Sequence, residues 1–241
     1  MGDKLYIVIP AYNEEENILQ VVEDWYPVVE NFGNESRLVV VDDESKDSTY
    51  TILQKSAETR DKLIVLTKKN GGHGSAVLYG YHYALESGAD YIFQTDSDRQ
   101  TKADEFKEFW NNRMEYDLVI GNRNHRKDGI SRVFVTKTLK CVLHMVFGVW
   151  ITDANTPFRL MNREKLKKVL QVMPEEYNLP NVIIPVAYTI WGEKVKYIPI
   201  TFRERQGGVN SINLKKIVKI GIQAINDFRC IRKNIDRAKE V

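Results

Sequence analysis

The first half of the chain alternates two kinds of segment, and that alternation constrains the fold more than any single motif. Short apolar runs rich in β-branched and aromatic residues, Leu5–Ile9, Leu38–Val41, Leu63–Leu66, Tyr91–Phe93 and Leu118–Ile120, read as strands. Between them Glu14–Val29, Asp47–Glu58, Gly74–Glu86 and Ala103–Arg113 carry helical patterns. This order builds right-handed βαβ units and hence a mostly parallel α/β sheet flanked by helices. Ligands of such sheets bind outside the carboxyl ends of the strands. Pro10-Ala11-Tyr12-Asn13, Asp42-Asp43-Glu44-Ser45 and Asp96-Ser97-Asp98 each follow a strand, so three polar turns are expected on one rim.

The second half is less regular. Val133–Trp150 reads as a helix, Thr156–Met161 as a strand, and Arg163–Val172 as a Lys-rich helix. Asn181–Trp191 reads as a helix that Pro185 kinks or begins. Lys194–Ile200 alternates like a strand, and Ile212–Arg237 is an amphipathic basic helix. The division expected is a main domain over residues 1–211, with a nucleotide-binding half at 1–125 and an acceptor half at 126–211, followed by the basic helix at 212–241.

At 241 residues and 43% hydrophobic, the chain has ample material for a buried core. The net charge of +2 hides an uneven distribution. Residues 121–151 carry six Lys and Arg against Asp128 alone, and residues 201–241 carry ten against four acids, which leaves the remainder about −9. A basic second part points to an anionic partner: phosphate, a membrane surface or nucleic acid. No nucleic-acid-binding motif supports the last. Cys141 and Cys230 are too few and too distant for a disulfide framework or a metal site, and a reducing compartment fits. The chain enters a strand at Lys4 with no apolar leader, so no signal peptide is expected. No run of about 18 apolar residues exists to span a bilayer. The helices at 133–150 and 212–237 combine apolar stripes with Lys and Arg, which suits core packing, an oligomer interface, or attraction to anionic lipid.

Asp96 and Asp98, spaced i, i+2 at a strand end, can converge on a hard divalent cation or a sugar hydroxyl. Mg²⁺ is commonly held by one or two carboxylates plus substrate phosphates. A solvated Asp/Ser turn has the same composition. Ser45 or Asp47 fits a helix N-cap, which leaves Asp42 and Asp43 to explain; Asp43 is a candidate for a ribose or base contact. Asn70-Gly71-Gly72-His73-Gly74 opens a helix with a glycine-rich loop that is neither a Walker A nor a dinucleotide fingerprint. It serves either close approach of phosphate or backbone geometry. Arg123 follows the fifth strand; Arg132 and Arg205 are further candidates for phosphate, whose geometry suits guanidinium.

Taken in order, Tyr6-Ile7-Val8-Ile9-Pro10-Ala11-Tyr12-Asn13-Glu14-Glu15, Val39-Val40-Val41-Asp42-Asp43, the Asn70-x-Gly-x-Gly loop and Asp96-x-Asp98-x-Gln100 resemble the family 2 glycosyltransferases of GT-A fold. Within that family the chain is similar to the dolichol-phosphate mannose synthase, or polyprenyl-phosphate glycosyltransferase, group. The resemblance implies that Pro10, Ala11, Tyr12, Glu14, Val41 and Asp43 cradle the nucleotide, with Asn70, Gly71, Asp96, Ser97 and Gln100 also on the donor. It implies Asp98, assisted by Gln100, as ligand of a divalent cation, Mg²⁺ or Mn²⁺. Arg123, Arg132 and Arg205 would hold the donor diphosphate and the acceptor phosphate, and transfer would invert the anomeric centre. Ser97 and Arg99 depart from the residues more usual in this motif, and Asn210-Ser211 replaces Ser-Lys after the last arginine.

A hydroxyl acceptor needs a general base. A phosphate acceptor, with a second pKa of about 6, is already largely ionised. Asp153 is the one good candidate base, and with Asp98 and Arg123 it completes the catalytic set. The arginine surplus favours a polyprenyl (dolichyl or undecaprenyl) phosphate as acceptor and a UDP- or GDP-sugar as donor. The rival within the class is a sugar hydroxyl in lipid-linked glycan, polysaccharide or cell-envelope synthesis. A nucleotidyltransferase lacks its glycine signature after the first strand, and a non-catalytic nucleotide-sugar-binding partner is the rival outside the class. The expected placement is cytoplasmic and peripheral, at the cytoplasmic face of the membrane, with no nucleic-acid partner and with a homo-oligomer or membrane partner protein open.

Overall fold

The computed structural model describes residues 2–123, 130–203 and 214–239; in the helices starting at Ile130 and Leu214, side chains are described from 136 and 224 onward. The strands are β1 Leu5–Ala11, β2 Arg37–Asp42, β3 Leu63–Thr67, β4 Tyr91–Gln94, β5 Leu118–Asn122, β6 Arg159–Asn162 and β7 Val195–Pro199. The helices are α1 Ile18–Asn31, α2 Thr49–Ala57, α3 His73–Glu86, α4 Phe106–Asn111, α5 Ile130–Phe147, α6 Arg163–Leu170, α7 Pro180–Trp191 and α8 Leu214–Lys239. The seven strands among the described residues join one sheet in the order β3-β2-β1-β4-β6-β5-β7. The mostly parallel α/β sheet expected from the alternation is therefore what forms.

The sheet is buried from both faces, which is why β1 is apolar at nearly every position and buried along its whole length. On one face Trp25, Phe93, Phe106, Phe109 and Phe158 form an aromatic cluster under α1 and α4, with the Phe93 and Phe158 rings 4.7 Å apart and edge to face. On the other face α3, α5, α6, α7 and α8 cover Val8, Val41, Ile120 and Met161. Burying each such side chain contributes about 1.5–3 kcal/mol.

Helix α3 lies unusually close to the sheet because glycines face its neighbours. A Cβ on Gly80 would stand 2.4 Å from Val8 Cγ1, and one on Gly74 would stand 2.4 Å from the Tyr177 carbonyl oxygen and 2.5 Å from the Asn178 backbone. Gly74→Ala should therefore cost about 2 kcal/mol by overpacking against backbone that cannot rotate away. Urea denaturation that leaves Gly74→Ala as stable as the parent would contradict this.

Several boundaries differ from the sequence expectation, for local reasons. Helix α1 begins at Ile18 rather than Glu14, since Glu14–Asn17 forms a turn in which both Asn17 N and Ile18 N donate to the Glu14 carbonyl. It continues through Pro27. The N-cap position of α2 is Ser48, which makes no side-chain cap bond, while Asp47 one residue earlier supplies an acceptor, its Oδ1 receiving Thr49 N at 2.9 Å; Ser45 faces the rim. Helix α7 begins on Pro180, where the missing N–H is harmless, and runs on through Pro185. Between residues 103 and 113, a 3-10 turn at Ala103–Glu105 precedes the short α4.

Strand β6 decides where the second half contributes to the rim. It runs antiparallel to β4 and β5, with Arg159 opposite Gln94 and Ile120. Its beginning, not its end, thus reaches the edge where β4 and β5 finish, and it brings the turn containing Asp153 there. Strand β7 is parallel to β5 and also ends on this edge.

Candidate active site

The three rim turns meet as the alternation required. Pro10, Ala11, Tyr12, Glu14, Asp43, Asn70, Asp96, Ser97 and Asp98 line one cleft of about 490 Å³, joined by Gly72, His73 and Ala76. Tyr12 stands at its mouth, 45% exposed.

Hydrogen bonds lace the first two turns together. Asn13 N donates to Ser45 Oγ (3.0 Å), Lys46 N to Asn13 Oδ1 (2.8 Å), and Glu14 N to Thr49 Oγ1 (2.8 Å). Ser48 N donates to Glu15 Oε2 at 2.9 Å. Each of three rim turns holds one non-glycine residue in the left-handed region: Asn13 (φ 53°), Glu44 (φ 60°) and Arg99 (φ 59°). Asn tolerates this conformation, while Glu and Arg adopt it at a cost that the surrounding lacing must offset.

Asp42 and Asp43 escape mutual repulsion by facing different partners. Asp42 Oδ2 accepts from Ser45 N and the Thr67 hydroxyl. Asp43 is 2% exposed, and its carboxylate accepts from Gly71 N (3.0 Å), Gly72 N (2.7 Å) and Lys68 Nζ (3.1 Å). Asn70 Nδ2 donates to the Asp43 carbonyl at 2.8 Å. The amides of Gly71 and Gly72 are therefore bound to a carboxylate of the protein, and Gly71 is not among the cleft-lining residues. The loop's glycines serve backbone geometry, with Gly72 at φ 86°. Val41, expected beside the nucleotide, is fully buried in the core beneath α3.

His73 was read from sequence only as a loop residue. The structure makes it the first residue of α3, with Nε2 2.9 Å from Asp96 Oδ1 inside the cleft. Loss of water on the covered side of the half-exposed ring lowers its pKa, but the charge and hydrogen bond of Asp96, with Asp98 adding to them, outweigh this and raise it above the ordinary value. Its place directly after a glycine pair at the start of a helical pattern is the available sequence signal.

Asp98 Oδ1 accepts from Gln100 N at 3.1 Å, closing the turn through Arg99. Gln100 Nε2 donates to the Arg203 carbonyl (2.8 Å), and Arg203 N donates back to Gln100 O (2.8 Å), so the segment after β7 braces this turn. Arg99 Nε is buried with no hydrogen-bond partner among the described residues.

Arg123 and Asp153 meet each other. Nε and Nη2 of Arg123 donate to Oδ2 and Oδ1 of Asp153, both at 2.8 Å, with side chains 8% and 12% exposed. Burial would raise the Asp153 pKa, but the bonds and charge of Arg123 hold it below the usual carboxylate value. A carboxylate so clamped is a weak proton acceptor. Neither residue is among those lining the donor cleft. The Arg132 side chain and Arg205 lie outside the described residues.

Glycosyl transferase family 2 matches residues 6–172, most of the sheet and the whole cleft. The chain belongs to this family. Among curated relatives it is 24% identical over 221 residues to the undecaprenyl-phosphate 4-deoxy-4-formamido-L-arabinose transferase of Proteus mirabilis, covering 90% of this chain. It is 26% identical over 220 residues to the protein of that name from Photorhabdus laumondii. The chain spans 65% of the length of each. Among solved structures, glucosyl-3-phosphoglycerate synthase from Mycobacterium tuberculosis superimposes with a TM-score of 0.70 at 19% identity, over 95% of this chain and 80% of the other. The same enzyme with Mn²⁺ and UDP-glucose gives 0.69 at 19% identity, over 95% and 79%. The fold of this family 2 member is thus the one expected, a GT-A type sheet.

Proposed function

We propose that this family 2 glycosyltransferase moves a sugar from a nucleotide sugar to a polyprenyl phosphate, with inversion and with a divalent cation. The observation that carries the choice of acceptor is the bidentate Arg123–Asp153 pair. The one candidate base is held as a counter-ion, and a phosphate acceptor does not need it. The undecaprenyl-phosphate transferases among the relatives support the same reading.

The donor side fits a nucleoside diphosphate. Tyr12 at the mouth offers an aromatic face to a base, and Asp43 and Glu14 lie deeper along the same wall. The Asp96 carboxylate, oriented by His73, faces the ribose or the sugar. The donor atoms also fit a hard cation. Asp98 supplies a carboxylate, and Gln100, whose amide nitrogen is committed to Arg203, supplies its carboxamide oxygen. No group of three or more His, Cys, Asp or Glu that could hold a metal occurs among the described residues. That matches a cation completed by substrate phosphates rather than by a protein cage. When bound, such a cation offsets the charge of the departing diphosphate. Arg123, steadied by Asp153, orients the acceptor phosphate for attack from the opposite side of the sugar.

The test is a thermal-shift panel of UDP-, GDP- and dTDP-sugars with Mn²⁺, followed by transfer assays on polyprenyl phosphate. One nucleotide series should stabilise the protein only when Mn²⁺ is present, and Asp98→Asn should remove that dependence. Stabilisation by no nucleotide sugar, or equal stabilisation with and without metal, contradicts the reading.

A further inference from the structure

Arg159 opens β6, opposite Gln94 and Ile120, and is fully buried. Among the described residues its guanidinium bonds to carbonyls rather than to a carboxylate. Nε donates to the Thr156 carbonyl at 3.0 Å, Nη2 donates to the same oxygen, and Nη1 donates to the Asn181 carbonyl at 2.9 Å. A buried cation with no carboxylate against it costs stability. An apolar side chain would fill the same space without that cost, so packing alone does not account for an arginine here.

The Asn181 carbonyl is open to Arg159 because of Pro185. In an α-helix the carbonyl of residue 181 accepts from the N–H of residue 185. Proline has no N–H, yet α7 runs on through Pro185. The orphaned carbonyl lies in the first turn of α7, and Arg159 Nη1 supplies the missing donor from outside the helix. The same planar group reaches the Thr156 carbonyl with its other edge, so one side chain ties the start of α7 to the segment before β6.

That segment carries Asp153, three residues ahead of Thr156. Asp153 clamps the Arg123 side chain with two bonds of 2.8 Å and accepts from Arg123 N at 3.4 Å. Contacts thus run from α7 through Arg159, the 153–156 turn and Asp153 to Arg123. The donor side is held differently. Gln94, across from Arg159, gives its Oε1 to the Tyr81 hydroxyl at 2.7 Å, and neither Arg159 nor Thr156 nor Asn181 lines the donor cleft.

We propose that Arg159 is a positioning residue for the acceptor: by bridging the carbonyl that Pro185 frees in α7 to the Thr156 carbonyl, it fixes the turn from which Asp153 aims Arg123. It acts without touching substrate. The linkage stands on the geometry; its use in transfer rests on the polyprenyl-phosphate reading above.

Kinetics with donor and acceptor varied separately test the use, and denaturation tests the linkage. Arg159→Lys keeps the charge but replaces a planar fork with a point donor that cannot span both carbonyls. It should lower kcat/KM for polyprenyl phosphate by about tenfold, while donor affinity measured by calorimetry stays within about twofold. A purely structural role would weaken both substrates together. In the Asp153→Asn background the same substitution should change kcat/KM for the acceptor by less than about twofold, because the path is already cut. Arg159→Met should show the acceptor defect of Arg159→Lys; if it does not fold, Arg159→Met/Pro185→Ala returns a main-chain donor to the Asn181 carbonyl and should show the same defect from the Thr156 end alone. In urea, the drop in midpoint caused by Arg159→Lys should be smaller in the Asp153→Asn background than in the parent.

Parent-like transfer by Arg159→Lys overturns the proposal, since charge without the fork would then suffice. Equal weakening of donor and acceptor overturns it too, as do effects of Arg159→Lys and Asp153→Asn that simply add. Coupled urea midpoints in a protein whose parent form transfers to no prenyl phosphate would instead sink the functional reading and leave the linkage intact.

Discussion

Asp43→Ala should fold yet lose nucleotide-sugar binding by about 100-fold or more, equivalent to roughly 2.7 kcal/mol. The Asp43 carboxylate gathers Gly71 N, Gly72 N and Lys68 Nζ at the end of β2, and its own carbonyl receives Asn70 Nδ2. Removing the side chain frees two amides and an ammonium at once in a nearly closed corner. Leaving such donors unpaired costs about 1–3 kcal/mol each unless water reaches them. The loop that forms one wall of the cleft then loses its anchor, and Gly72, His73 and Asn70 shift with it. Asp43→Asn keeps one acceptor oxygen and should fall between the parent and Asp43→Ala. Calorimetric titration with the preferred nucleotide sugar and Mn²⁺ measures both. An Asp43→Ala protein that binds donor within threefold of the parent would show that the loop is held by other means.

The second large effect concerns stability and the identity of the acceptor together. Asp153→Asn should destabilise the protein by about 3 kcal/mol, because it leaves the Arg123 guanidinium nearly buried without its counter-charge. The same pair fixes a pH dependence. Arg123 lowers the folded-state pKa of Asp153 against the opposing effect of burial. The stability this supplies is complete above the unfolded carboxylate pKa of about 3.9. It is lost as pH falls through that value and on through the lower folded one, since the unfolded chain binds the proton first. Acid titration of stability should therefore fall less steeply in Asp153→Asn than in the parent over this window. Catalysis gives the second reading. Loss of a general base lowers turnover by about 10²–10⁴, whereas loss of a positioning clamp on a phosphate-holding arginine should cost about tenfold. A variant that binds donor normally but has lost transfer altogether would point to a hydroxyl acceptor, with Asp153 as its base.

The order of Leu5–Ile9, Leu38–Val41 and Tyr91–Phe93, each followed by a polar turn, was enough to place Asp43, Asp96 and Asp98 on one rim, because parallel strands must all end on the same side. The role of the glycine loop was not legible in the same way. Asn70-Gly71-Gly72 looks as suited to phosphate as to a carboxylate, and only the approach of Asp43 shows which partner takes the amides. The glycine pair before His73 marks a turn but no periodicity aims the ring, and only the fold brings its Nε2 to Asp96. Val41 was assigned by its place in a motif, yet strand alternation turns it into the core under Gly80.

What the sequence determined by itself is the parallel architecture, the rim and the residue types on it, since these follow from periodicity and chain order. The pairing of Arg123 with Asp153 and the exposure of Trp150 were decided only in three dimensions. Strand β6 runs backwards between β4 and β5 and carries the Asp153 turn to the rim against the chain direction of its neighbours. No local pattern records that reversal, because strand direction is set by what packs on either side. Likewise the apolar stripes of α5 and α8 have the same period whether they face lipid or each other, and only the packing of Phe147 against Phe228 shows which of the described residues there are left at the surface.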